Sequence, residues 1–369
     1  MIYLDNAATS FPKPRSVIRE VTRCIKVYCG NPSRSSHVLA IRAAEEVYLA
    51  REAVAEFFGS ENPERVVFTT NTTYALNIAI KCLLKPPCHV LISDIEHNSV
   101  LRPIIKASRE KGISYSVFST QGNVYENIEK SLGENTTAII TTLASNVTGE
   151  IIEPQTISKI AQKYGLISII DAAQAAGHFA LNVKATPFSA VCAPAHKGLL
   201  GIQGCGFVLF GDVLPSETLI EGGSGAASLS EKMPEMLPEM LEAGTLPTPS
   251  IVSLRHGIRF INHIGIKGIE EKMLMLTELY RERLESFGEI EIFGGNAGII
   301  SFRKRGERSH VLADKLNGQG ICVRSGLQCA PSIHRRLGTV DTGLVRISLS
   351  PLSKAKEADI FYKALKKTL

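Results

Sequence analysis

VVFT (66–69), HVLIS (89–93), ISYSVF (113–118), TTAIITTLA (136–144) and LISIID (166–171) are five short apolar runs with helix-like stretches between them, and their alternation decides the fold. One helix-like stretch starts near Thr73 and the next passes through Leu101 to Arg109. Short apolar runs bounded by turn residues read as buried strands, and strands alternating with helices read as α/β units built on a largely parallel sheet. Downstream, SAVCAPAHKGLLGIQGCGFVLF (189–210) adds two strands, Ser189 to Cys192 and Phe207 to Phe210, with Lys197 on the glycine-rich turn between them.

Past this block the texture changes. Between Ser230 and Pro249 Met and Pro recur, as in EKMPEMLPEM (231–240), and no period survives, so the stretch reads as an extended excursion. A helical stretch from about Ile251 to Phe287 then leads to a second unit with strands near Ala297 to Arg303, Ile321 to Val323 and Leu344 to Leu349.

Composition narrows the class. A chain of 369 residues buries a large core and exceeds one average domain. Its net charge of +5, from 41 basic and 36 acidic residues, is small and not gathered in a tail, which gives nucleic acid binding no support. The opening MIYLDNAATSFPKPRS carries Asp5 and no apolar core, so it does not read as a signal peptide. No uncharged apolar run reaches the roughly 20 residues that span a bilayer, and the expectation is a cytoplasmic enzyme with no membrane partner. Eight cysteines occur without a CxxC pair, which disfavours a zinc ribbon or a thioredoxin-type motif. Most should be buried thiols.

Ligands of an open parallel sheet bind beyond the carboxyl ends of its strands, so the polar residues that follow each run are the candidates. They are His97 after HVLIS, Asn146 after TTAIITTLA, Asp171 and Gln174 after LISIID, and His196 with Lys197 after the strand at 189–192. A desolvated lysine has a lowered pKa and attacks carbonyls as the neutral amine, giving a Schiff base. A buried aspartate demands a cation or a metal. Asp171, His97 and His196 could ligate a metal, although a hard ion would want more carboxylates. The other reading pairs Asp171 with a protonated ring nitrogen and Lys197 with a carbonyl, the arrangement a pyridoxal phosphate site requires. A phosphate cradle is available at Thr72 and Thr73, where a strand runs into a helix N-terminus.

Several segments, in this order, carry a resemblance over nearly the whole chain: YLDNAATS (3–10), EHNS (96–99), SNVTGE (145–150), DAAQAAGH (171–178), AHKG (195–198), EAGTLPTP (242–249) and VRSGLQCA (323–330). Together they resemble the cysteine desulfurases of the class V aminotransferase superfamily. The resemblance implies a fold type I pyridoxal phosphate enzyme: a large domain (14–250) with a mostly parallel seven-stranded sheet flanked by helices, and a smaller α+β domain (1–13 and 251–369). It also implies a homodimer with shared active sites. Lys197 would anchor the cofactor, Asp171 would pair with its ring nitrogen, Gln174 would bond its phenolic oxygen, and His97 would stack on the ring. Thr72, Thr73 and His196 would take the phosphate, joined by Thr245 of the second subunit. Asn146 and Arg346 would hold the substrate carboxylate, with Arg324 and His37 nearby. Cys329 would receive the sulfur of L-cysteine as a persulfide, leaving L-alanine, and pass it to an acceptor protein.

The match is looser in three places. Leu327 and Gln328 stand where the family shows two histidines, Pro194 stands where it shows a serine that contacts the phosphate, and GNPSRSSH (30–37) resembles a different desulfurase group from the compact RSGLQCAP loop (324–331). Selenocysteine lyase, and a class V aminotransferase acting on another amino acid, are the alternative activities.

Overall fold

The computed structural model describes residues 1–32, 36–226 and 229–369; part of the GNPSRSSH segment, residues 33–35, thus lies outside the described residues. Twelve strands are described: β1 Ile2–Tyr3, β2 Val66–Thr69, β3 Cys88–Ser93, β4 Ile113–Phe118, β5 Thr136–Thr142, β6 Ile167–Asp171, β7 Ala190–Pro194, β8 Gly206–Phe210, β9 Ile290–Asn296, β10 Ile299–Lys304, β11 Ile321–Cys322 and β12 Val345–Ser348. Seven of them, β2 to β8, form the central sheet in the order β2-β8-β7-β6-β5-β3-β4. Only β8 runs against its neighbours, being antiparallel to β2 and β7. The expectation of a mostly parallel α/β sheet is met.

Period-two alternation explains why the strands read as nearly continuous apolar runs. Ala138 and Ile140 of β5 pack on one side with Leu76 and Ile104, whereas Ile139 packs on the other with Leu91, Ile170 and Leu254. With helices on both faces the inner strands are buried on both sides and read as mostly apolar, whereas the edge strand β4 keeps exposed positions. The chain direction reverses beside β3, since β4 lies outside it while β5, β6 and β7 follow on the opposite side. The crevice at such a switch point opens beyond the carboxyl ends of β3, β5 and β6. His97, Asn146 and Asp171 sit there.

A three-stranded antiparallel sheet, β12-β10-β9, and the parallel pair β1-β11 lie outside the central sheet. The N-terminus therefore joins the C-terminal part: Ile2 pairs with Ile321, and Asp5 bridges to Ser348. Sequence periodicity missed β9, whose GG pair weakens a strand pattern, and the helices Arg15–Arg23 and Val38–Phe58. The helical stretch expected over 251–287 is two helices, Thr248–Ile264 and Ile266–Glu285, separated at Gly265, whose φ of 87° interrupts the first. No described helix is long and apolar enough to cross a membrane.

The irregular stretch after Ser230 has one firm anchor. Strand β2 is the sheet edge, and its free edge would expose backbone groups to pairing with another chain. Phe68 N donates to Glu242 at 2.6 Å, and Arg51 donates to Val66 O, so both are capped. Arg51 and Glu242, 6% and 7% exposed, also pair with each other in two-pronged fashion, Nη1 lying 2.8 Å from Oε1. A buried pair of this kind adds little net stability, but removing one partner strands a charge and costs about 3–5 kcal/mol. Arg51→Leu and Glu242→Leu should each lower the unfolding free energy by about that amount in urea titrations, and the double substitution by clearly less than the sum. Single losses below about 1 kcal/mol would contradict this account.

Candidate active site

Beyond the strand ends lies a cavity of about 220 Å³ lined by Thr72, Thr73, His97, Asn146, Asp171, Gln174, His196 and Lys197, with Asn71, Ser99, Thr142, Ala144 and Ala173. Eight expected site residues, drawn from five loops, thus meet in one place. A larger cavity of about 740 Å³ lies beside Tyr48, Met236 and the Arg51–Glu242 pair, where the charges already satisfy each other.

Lys197 follows β7 on a tight turn. The turn is pressed backbone to backbone against the segment after Asp171. A Cβ added to Gly198 would stand 2.3 Å from Ala176 O, and one added to Gly177, at φ 82°, would stand 2.4 Å from Gly198 O. Only glycine permits that approach. Burial pushes the Lys197 amine down to about 8, against the opposing pull of Asp171. Asp171 is 3% exposed; burial raises its pKa, while the Ala173 N–H bonded to Oδ1 at 2.9 Å and the charge of Lys197 act the other way.

His97 caps the helix Asn98–Glu110, its Nδ1 accepting Ser99 N–H at 3.1 Å, which leaves the ring proton on Nε2. Burial, with Lys197, Arg102 and Arg346 adding repulsion, lowers its pKa to about 4, so the ring is neutral at ordinary pH. Ser99 Oγ links it to Thr73 Oγ1 at 2.8 Å. At the helix Thr72–Leu83 the cap proves to be Asn71, whose side chain accepts Tyr74 N–H at 3.1 Å. The earlier amides, at Thr72 and Thr73, are the ones an anion would meet. His196 is likewise neutral, burial lowering its pKa to about 4.

Arg346, on β12, is 3% exposed and held from two sides: Nη1 donates to Asn146 O at 2.8 Å, and Nη2 pairs with Asp5 Oδ1 at 2.6 Å. Sequence reasoning missed Asp5 as its partner, although the one charge within the otherwise uncharged YLDNAATS start was a signal. Cys329 is exposed, as is Cys29, whereas Cys24, Cys82, Cys88, Cys192 and Cys205 are buried and Cys322 is half-buried. Position separates the two exposed thiols. Cys329 O accepts Asn98 N–H at 2.8 Å, next to His97, and Gln328 O accepts from Asn146 Nδ2 at 2.7 Å. Cys329 is also close enough for a thiolate there to act on Lys197.

Five expected residues are absent from the cavity lining: Arg346 and Cys329, placed beside it by the bonds just described, and His37, Thr245 and Arg324. His37 is exposed and caps the helix Val38–Phe58 through Ala40 N. Thr245 is exposed, and Arg324 is exposed with only its backbone paired to Arg346. Among the described residues no cluster of three or more His, Cys, Asp or Glu is arranged to hold a metal.

The donor set fits pyridoxal phosphate. Asn146 Oδ1, Gln174 Oε1, His196 Nδ1 and Arg346 Nε are buried without a partner. Such orphans cost about 1–3 kcal/mol each; three of them line the cavity and the fourth belongs to Arg346, bonded to Asn146, which marks a place prepared for a polar guest. A buried carboxylate at the cavity wall suits a protonated ring nitrogen, and the helix N-terminus suits a phosphate.

The Aminotransferase class-V family profile matches residues 2–361. A protein of Methanothermobacter thermautotrophicus named "Probable cysteine desulfurase" is 33% identical over 377 residues, covering 99% of this chain and 94% of its own. A Streptomyces coelicolor protein of the same name is 31% identical, over 99% of this chain and 91% of that one. Among solved structures, the cysteine desulfurase of Thermococcus onnurineus NA1 superposes with a TM-score of 0.91 at 29% identity, over 99% of this chain and 94% of that one.

The lowered pKa of Lys197 has a measurable sign. Its reactive form is the neutral amine, so uptake of pyridoxal phosphate by the apoprotein should rise about tenfold per pH unit below the midpoint near 8 and level off above it. Since Asp171 stabilises the charged amine, Asp171→Asn should move the midpoint to lower pH. Stopped-flow absorbance across pH 6 to 10 checks both; a midpoint near the ordinary 10.5 would contradict the burial argument.

Proposed function

The chain belongs to the class V aminotransferase family, and from that premise we propose that it is a pyridoxal phosphate-dependent cysteine desulfurase, converting L-cysteine to L-alanine with the sulfur retained as a persulfide on Cys329. The observation that carries this reading is the docking of the Cys329 loop onto Asn98 and Asn146, which brings one exposed thiol to the cavity that holds Lys197 and Asp171.

Lys197 would anchor the cofactor through its neutral amine, and the same amine is the base placed to move protons at the substrate. Asp171 would keep the ring nitrogen protonated. Gln174 would bond the phenolic oxygen, His97 would stack on the ring as a neutral imidazole, and Thr72, Thr73 and His196 would hold the phosphate. When bound, pyridoxal phosphate draws electrons from the substrate's α-carbon and so loosens the bonds around it. Arg346 holds the substrate carboxylate, fixed by Asp5 and Asn146 so that its planar fork meets the ligand already oriented. The Cys329 thiolate attacks the substrate sulfur; a sulfur–sulfur bond forms, the carbon–sulfur bond breaks, and its electron pair returns to the carbon skeleton that leaves as alanine.

The working unit in this reading is a homodimer, in which Thr245 serves the phosphate of the second subunit; its exposure and its distance from the cavity of its own chain support that role. Residues 14–250 form the cofactor-binding unit and residues 1–13 with 251–369 the smaller one, a division supported by the confinement of all seven central strands to 66–210. The persulfide passes to an acceptor protein in the cytoplasm.

Alanine and sulfide or selenide released from L-cysteine and L-selenocysteine should be scored together. Wild type should act on L-cysteine and carry a trappable persulfide on Cys329; Cys329→Ser should lose at least 100-fold in that activity. Lys197→Ala should lose the cofactor's visible absorption, and Arg346→Gln should raise KM about 10-fold or more. Activity on L-selenocysteine alone, indifferent to Cys329→Ser, would overturn the reading in favour of a lyase.

A further inference from the structure

The sulfur-accepting loop is strained, and the strain has a specific support. Gln328 and Cys329 are consecutive non-glycine residues in the left-handed region, at φ 44° and 59°. Such a conformation persists only where surrounding contacts over-determine it. Its effect is to turn the Gln328 side chain inward, 6% exposed, while Cys329 stays outward.

The inward side chain meets a buried relay. Gln328 Nε2 donates to Leu344 O at 3.0 Å, which leaves Oε1 facing His334 Nε2 at 3.0 Å. An amide oxygen only accepts, so His334 Nε2 carries the proton and donates. Nδ1 of the same ring then accepts from Thr339 Oγ1 at 2.7 Å. His334 and Thr339 are both fully buried. His334 belongs to the helix Pro331–Arg336, and that helix is pinned to the strand ends around the cavity. Arg336 donates to Asp94 at 3.0 and 3.1 Å and to Thr120 Oγ1 at 2.6 Å, and it pairs with Glu150. Asp94 lies three residues before His97, and Glu150 ends the SNVTGE segment that carries Asn146. Hydrogen bonds at one end of this helix and ion pairs at the other therefore tie the Cys329 loop to the frame of the pocket.

We propose that His334 is a positioning residue for Cys329: its Nε2–H holds the Gln328 amide inward, and this keeps the strained loop presenting the thiol to the substrate sulfur. The proposal rests on the reading of Cys329 as the sulfur acceptor. The imidazole of His334 thus acts on the thiol's loop through the Gln328 amide.

Three holoenzyme variants separate this role from packing alone. His334→Leu and Gln328→Met remove the hydrogen bond while filling space, and His334→Gln restores a donor at similar reach. In the first two, kcat for alanine formation from L-cysteine should fall about tenfold or more with KM changed less than about threefold, because a shift of about 1 Å in a reacting group can cost on the order of 100-fold. Iodoacetamide labelling of Cys329, followed by peptide mapping, should change in rate at least threefold in the same two variants. His334→Gln should return both readouts to within about threefold of wild type. The proposal is overturned if Gln328→Met, with an unaltered melting midpoint, matches wild type in both kcat and labelling rate; this variant decides the matter alone if His334→Leu does not fold. Should wild type release no alanine from L-cysteine, the functional reading has failed, and the labelling rates still decide whether His334 holds the loop.

Discussion

Gly177 and Gly198 press the turn that carries Lys197 against the segment that starts at Asp171, and the site depends on that contact. Neither residue tolerates a Cβ without collision with backbone of the other segment. The amine thereby loses water and comes within the field of a carboxylate. Burial lowers its pKa to about 8, which keeps a useful fraction neutral near physiological pH. The same burial would penalise the Asp171 carboxylate if it were left unmatched, so the pair is poised for a guest that is positive at one end and carbonyl-like at the other.

Around that pair the strand ends divide the labour. Loops after β3, β5, β6 and β7 supply the floor and the orphaned polar atoms, while β12 sends Arg346 in from the smaller sheet. The N-terminal segment closes the arrangement. Its backbone bridges to β12, its Asp5 steadies Arg346, and Ala7 O accepts from Gln174 Nε2 at 3.0 Å. A stretch of ten residues thus touches both the loops that line the cavity and the arginine proposed to hold the substrate carboxylate.

The Cys329 loop shows how a departure from a family pattern is absorbed. Gln328 stands where the resemblance implies an imidazole, and its buried amide meets His334 on the next helix, with Leu344 O and Thr339 completing the network. Pro194 ends β7 inside the buried sheet, where it still accepts pairing opposite Gly206. A proline at a strand end gives up a donor that the sheet does not need there.

The central sheet was legible in the sequence because buried strands flanked by helices write a distinctive record: apolar on both faces, with polar residues released at one end only. That is why His97, Asn146, Asp171, Gln174 and Lys197 were legible as one set. The helix Val38–Phe58 was not, since it is buried along much of its length and its apolar residues form no clean stripe. Nor were the capping role of Asn71, the Asp5–Arg346 pair and the His334–Gln328 bond, which join residues up to 341 positions apart or depend on left-handed backbone. Local pattern encodes which faces are buried; the partners of individual polar groups are set by long-range packing. The sequence alone determined the strand ends and the chemistry they bear, and the tertiary structure alone decided how Cys329 is brought beside them and what holds it there.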